Sequence, residues 1–163
     1  MIRCTPQGIC SSNYWLEGLG HHAALEFSWM SEEGLITADG VPLPVHKPGL
    51  FTSEWRLGHR STPLIVARKV DVFSRSIELR MPGGLCLLQA ESIMSRSMRL
   101  SGAGMNCLII PDHAFTRRAT ITGEVGDFSI TAFAFWLTAL LWRRAASSSP
   151  SPLKPSAFSI FRV

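Results

Sequence analysis

A chain of 163 residues with 46% hydrophobic and 17% charged residues has the apolar content of one domain with a single core, which excludes disorder of the whole chain. The formal charge of +4 is unevenly placed: residues 1–49 carry −3, residues 50–126 hold ten basic against six acidic residues, and residues 127–163 add +3. A basic repeat region and tail admit an anionic partner (a lipid head group, a nucleic acid or a phosphorylated protein), or serve solubility alone.

The first residues, Met1-Ile2-Arg3-Cys4-Thr5-Pro6, lack the apolar stretch of a secretory signal. A reduced, intracellular and cytoplasmic chain is therefore expected, with Cys4, Cys10, Cys86 and Cys107 structural rather than bridging. No C-x-x-C pair or His spacing completes a zinc site, and His21-His22 lacks partners at metal spacing, so no metal or cofactor is expected. Ala23–Met30 has no clean periodicity, and Gly34, Gly40, Pro42, Pro44, Pro48 and Gly49 punctuate the stretch after it. Residues 1–49 thus read as a poorly defined segment contributing one or two strands and much loop.

From residue 50 an internal repeat appears. Phe73-Ser74-Arg75, Met94-Ser95-Arg96 and Phe115-Thr116-Arg117 recur with a period of 21, and a looser copy begins at Phe51. Within a copy the period is two: Phe73, Arg75, Ile77 and Leu79 would share one strand face, as would Met94, Arg96, Met98 and Leu100. Seven strands are predicted: Trp55–Leu57, Leu64–Val70, Phe73–Arg80, Leu85–Glu91, Met94–Leu100, Met105–Pro111 and Phe115–Ile121. Gly and Pro separate the copies, and the tight turn of each hairpin is expected near Asp71, Ser92 and Asp112-His113. Cys86 and Cys107 fall where another copy has Ile65, so both are expected as small core residues. Hairpins this short cannot bury an apolar face alone. The fold class is therefore mainly β with one helix: an antiparallel meander closing into a barrel or strongly curved sheet.

The helix is predicted after Asp127, a suitable N-cap, running through the uncharged stretch Phe128–Trp142 to Arg143-Arg144. A helix apolar all round belongs in protein or in lipid. Fifteen residues span about 22 Å, short of the about 30 Å of a hydrocarbon core, which favours a core helix. The flank Trp142-Arg143-Arg144 suits a membrane interface, so a small membrane-anchored protein is the alternative. Residues 145–163 read as a disordered tail rich in Ser and Pro.

Meander hairpins carrying an aromatic-[ST]-Arg signature, then an Asp-led apolar helix, resemble the tubby C-terminal-like superfamily, which includes tubby domains, LURP-one-related proteins and phospholipid scramblases. The resemblance covers about residues 50–144, with the helix at 128–144. It implies a closed antiparallel barrel around one central helix. That family's barrel has twelve strands, so residues 1–49 would have to supply the remainder, or the barrel is reduced or open.

No catalytic motif is present: there is no G-x-S-x-G elbow, P-loop or H-E-x-x-H, and the chain is not expected to be an enzyme. The unusual feature is Arg75, Arg96 and Arg117, each on the apolar side of its strand start. Either each guanidinium reaches the rim and bonds turn carbonyls of the neighbouring copy, or the three converge on a phosphate or carboxylate. Arg118 breaks the repeat pattern and is the candidate for an exposed anion contact. The functional expectation is a non-enzymatic, tubby-like domain binding anionic phospholipid head groups, or an anionic protein, through Arg75, Arg96, Arg117 and Arg118. Nucleic acid is an unlikely partner, because strand-borne aromatics such as Trp55 and Phe73 are expected on the buried face.

Overall fold

The structure, a computed structural model, describes residues 1–114 and 116–148. Twelve antiparallel strands form a closed barrel around one helix, the mainly β class expected and the barrel rather than the strongly curved sheet of its two forms. The first six strands are β1 (Ile2–Pro6), β2 (Tyr14–Gly18), β3 (His21–Phe27), β4 (Gly34–Ala38), β5 (Val41–His46) and β6 (Glu54–Gly58). The second six are β7 (Pro63–Lys69), β8 (Ser76–Met81), β9 (Gly84–Ala90), β10 (Met98–Gly102), β11 (Met105–Pro111) and β12 (Ala119–Glu124). Each strand pairs with its sequence neighbours, and β1 closes the ring on β12 through Ile2↔Ile121, Arg3↔Thr120 and Cys4↔Ala119. Closure leaves no unpaired edge strand, the usual liability of a sheet.

Because consecutive strands are antiparallel neighbours, their connections alternate between the two ends of the barrel. One end carries short turns. Leu19-Gly20, Asp39-Gly40 and Ala103-Gly104 have positive φ at both residues, the signature of the type I′ turn that matches strand twist. The other end carries six longer loops: 7–13, 28–33, 47–53, 70–75, 91–97 and 112–118. Every strand sends alternate apolar residues inward; Ile77 and Leu79 on β8 and Met98 and Leu100 on β10 are buried, as are Cys86 and Cys107.

The helix, α1 (Phe128–Ser147), enters after β12 at the turn end and leaves at the loop end. Asp127 caps it, accepting bonds from the backbone N–H groups of Ser129 at 2.8 Å and Ile130 at 3.3 Å. Thr131–Leu140 is buried without interruption, so every face of nearly three turns meets protein. The helix packs on β3 and β4 and on β10, which lies across the ring from β4. Its polar groups are satisfied locally: the Thr138 hydroxyl donates to the Ala134 carbonyl at 2.8 Å, and the Trp136 indole donates to the Glu26 carbonyl at 3.2 Å. An uncharged helix is thus explained by its position as the core of the barrel. No helix among the described residues is long and apolar enough to cross a membrane, and this gives the anchored alternative no support.

Four expectations need correction. Residues 1–49 supply five strands rather than one or two, and the hairpin period continues through them: β3, β5, β7, β9 and β11 begin at residues 21, 41, 63, 84 and 105. The strands expected to start at Phe73 and Met94 begin instead at Ser76 and Met98, and both residues project into solvent from loops rather than facing the core. Asp71 explains the first shift, since its carboxylate accepts the Phe73 backbone N–H at 2.7 Å and folds the chain into a side-chain-closed turn. The connections expected to be tight at Asp71, Ser92 and Asp112-His113 are therefore the long loops. The helix also runs to Ser147, beyond the expected 144, because Ala145 and Ala146 are strong helix formers. The strand expected from Phe115 likewise begins later, at Ala119, with Phe115 itself and the tail from residue 149 onward lying outside the described residues.

The four thiols are free, and only Cys10 is exposed. Burial pushes the Cys4 thiol well above its usual range, and Cys107 is raised to about 11, mainly by burial. One thiol per chain is therefore expected to react promptly with a chromogenic disulfide at neutral pH, and all four after denaturation. Prompt reaction of two or more in the native chain would contradict the packing of these strands.

Candidate anion site at the loop end

The three repeat arginines adopt the structural arrangement first. Each sits at the end of a long loop and donates to a carbonyl of the next loop around the ring. Arg75 reaches the Ser95 carbonyl at 2.6 Å, and Arg96 reaches the Ala114 carbonyl at 2.7 Å. Arg117 crosses the seam of the barrel to the carbonyls of Gly8, at 3.1 Å, and Ser11. The period of 21 thus places one clasp per hairpin, and the last clasp joins the final hairpin to the first. Further round, the carbonyls of Ser28 and Ser31 are approached at 3.4 Å by Arg143, which comes from the helix.

Two of these clasps and the helix arginine share a cavity. Arg96, Arg117 and Arg143 line a hollow of about 260 Å³ where α1 leaves the barrel, together with Tyr14, Phe27 and Trp142. Each guanidinium lies over one of these rings: Arg96 on Trp142 at 4.7 Å, Arg143 on Phe27 at 5.4 Å and Arg117 on Tyr14 at 6.0 Å from the centroids. The Trp142 indole in turn donates to the Arg96 carbonyl at 3.0 Å, fixing that wall. The cationic field reaches Tyr14: burial raises its phenol, while Arg117 and Arg96 pull it the other way without overcoming burial.

None of these three guanidiniums has a carboxylate partner among the described residues. Arginines elsewhere do: Arg56 and Arg68 both pair with Glu54, Arg80 with Glu78 and Arg99 with Glu91, all within 2.8 Å. Arg144, one residue from Arg143, forms a two-pronged pair with Glu32 at 2.5 Å on each arm, and Lys47 bonds the same carboxylate at 2.6 Å. Burial opposes the charge of Glu32, but the bonds from Arg144 and Lys47 outweigh it and hold its pKa below the usual range. The cavity is consequently flanked by a neutralised cluster and is itself left with three unneutralised cations.

Of the sequence candidates, the structure brings Arg96 and Arg117 together. Arg75 stands apart, beside Ser95 and the Met98 sulfur, and lines a separate hollow with Phe73 and Ile93. Arg118 is exposed, and its side chain makes no ion pair or hydrogen bond among the described residues. Arg143 was not singled out by the sequence except as a helix-end charge, since only the fold carries it to loops more than a hundred residues away. Among the described residues no group of His, Cys, Asp and Glu is disposed to hold a metal ion. Comparison of the chain with family models, with curated proteins and with solved structures finds no match.

Proposed function

We propose that the chain is a non-enzymatic binding domain, tubby-like in architecture, that takes the anionic head group of an acidic phospholipid at the loop end of its barrel. The observation that carries this reading is the set of three guanidiniums, Arg96, Arg117 and Arg143, around one aromatic-walled cavity with no carboxylate among the described residues to balance them. Half-buried cations that bond only to carbonyl oxygens keep unspent donors and unneutralised charge, and a phosphate oxygen satisfies both. The clasp and the anion site are compatible, because a guanidinium has five N–H donors and the carbonyls occupy only some of them. Aromatic walls suit the apolar part of an amphiphile next to its charged group.

Calorimetry with dihexanoyl phosphatidic acid below its micelle concentration tests the reading, with dihexanoyl phosphatidylcholine and inorganic phosphate as comparison arms. Phosphatidic acid is expected to bind, phosphatidylcholine much less. Arg143→Gln should weaken binding by about 10-fold or more, the worth of a charged hydrogen bond. Arg143 is the cleanest position because its own carbonyl contacts are long and the seam does not depend on it. Equal affinity for the two lipids, or no effect of Arg143→Gln, would defeat the proposal. Inorganic phosphate binding as tightly as phosphatidic acid would make the ligand a free anion instead.

A further inference from the structure

The loop end carries a second feature, independent of the arginines. Ile9, Trp29, Phe51, Phe73 and Ile93, one from each of five different long loops, are 93–100% exposed. Beside them, Met30, Leu50, Val72 and Met94 are 79–92% exposed. No other large hydrophobic residue among those described exceeds 66%, so the fully exposed apolar side chains are confined to one end of the barrel. Large apolar groups held in water at this density mark an interaction surface. Two of them, Phe73 and Met94, directly precede a Ser-Arg pair of the repeat, and each stands in solvent while its Arg donates to a carbonyl of the next loop.

From this arrangement we propose that the loop end is a membrane-docking crown, whose apolar tips enter the interface of a bilayer containing anionic lipid. Three properties select a bilayer over a protein. The apolar groups stand on separate convex loop tips around a ring, which suits a fluid surface better than a continuous groove or helix-sized trough. Trp, Phe, Ile and Met lie outermost with arginines behind them, so that once the tips have passed the head groups to reach acyl chains the arginines stand at the level of the phosphates. Two rim acids are paired with cations, Glu32 with Arg144 and Lys47 and Glu91 with Arg99, while Asp71 accepts from backbone N–H groups and Asp112 from the Thr120 hydroxyl. Arg96, Arg117, Arg118 and Arg143 outnumber those last two carboxylates and leave the rim net positive toward a negative surface. The inference rests on the head-group reading and deepens it, naming a bilayer as the source of the head group and fixing the orientation of the barrel axis across the membrane plane.

Vesicle flotation of the full chain tests it, using phosphatidylcholine vesicles with and without phosphatidylserine and the variant W29S/F51S/F73S. These side chains are solvent-exposed, so an unchanged melting temperature is expected and serves as the folding control. The wild-type chain should float with the anionic vesicles and retain part of its binding at high salt, and the variant should lose at least about tenfold in partitioning. Flotation that is identical for variant and wild type overturns the crown, and if dihexanoyl phosphatidic acid still binds, the head-group site stands without it. Crown-dependent flotation without binding of the soluble lipid supports the crown and removes the head-group site. Self-association of the wild type without flotation, abolished in the variant, overturns the proposal in favour of a second copy of the chain.

Discussion

Trp136→Ala is expected to cost about 3–5 kcal/mol, the range for deleting a large buried aromatic. For a chain of this size that lowers the melting temperature by roughly 6–20 °C. The side chain is fully buried, stacks on Phe27 at 4.7 Å between ring centroids and donates its indole N–H to the Glu26 carbonyl. Both partners belong to β3, so the residue ties the central helix to the wall of the barrel. Its removal leaves a cavity that twelve mutually paired strands cannot easily collapse into, because closing the void would shear the ring. Trp136→Phe separates the contributions: most of the packing remains, and the loss should shrink to roughly 1–3 kcal/mol, the cost of leaving a buried carbonyl without its donor. Urea or thermal unfolding of both variants provides the measurement. A Trp136→Ala chain as stable as the wild type would mean that the helix is not the core of the barrel.

The same physical contrast explains what the sequence disclosed. Ile77 and Leu79, Cys86 and Leu88, and Cys107 and Ile109 repeat an inward alternation because the barrel wall there is regular, and regularity is legible. The N-terminal hairpins obey the same spacing but conceal it. In β5, Pro42 and Pro44 suggest loop, since proline cannot donate to a ladder. They are tolerated because that part of β5 pairs with β4 alone, the ladder to β6 being confined to Val45↔Leu57 and His46↔Arg56. In β3, the inward positions are filled by Ala23 and Leu25 while His22 and Glu26 point outward, a contrast too weak to stand out against its neighbours.

The site was half legible for a related reason. Arg96 and Arg117 declared themselves by period, because each belongs to a clasp that every repeated hairpin renews. Arg143 could not, since its role depends on where a helix ends relative to loops far away in sequence. The aromatic of the Ser-Arg signature was misplaced because alternation was extended through it. The Asx turn at Asp71 interrupts the strand just before Ser76 and turns Phe73 outward, and a strict period of two has no way to register such a turn.

A second large effect concerns Gly102 and Gly123, and it tests whether the repeat is a physical unit rather than a sequence pattern. Both have φ in the left-handed region, +111° and +107°, Gly102 at the turn end of β10 and Gly123 near the turn end of β12. A Cβ added at Gly102 would lie 2.4 Å from the Leu85 carbonyl oxygen and 3.1 Å from the Cys86 Cα. One added at Gly123 would lie 2.4 Å from the Asn106 oxygen and 3.1 Å from the Cys107 Cα, the same contacts one period later. Backbone cannot swing aside as a side chain can, so the neighbouring strand would have to move. Gly104 provides the control: its φ of +76° is also left-handed, but nothing lies within 4 Å of an added Cβ. Gly104→Ala should therefore cost about 1–2 kcal/mol for backbone conformation alone. Gly102→Ala and Gly123→Ala add the steric clash to that strain and are expected to cost roughly 2–4 kcal/mol each. The two should agree with one another within about 0.5 kcal/mol, the spread expected of equivalent, independent sites. Denaturant unfolding of the three variants decides the matter. Equal losses at 102 and 104 would show that the close approach of the strands carries no weight, whereas unequal losses at 102 and 123 would show that hairpins alike in geometry are held with different firmness around the ring.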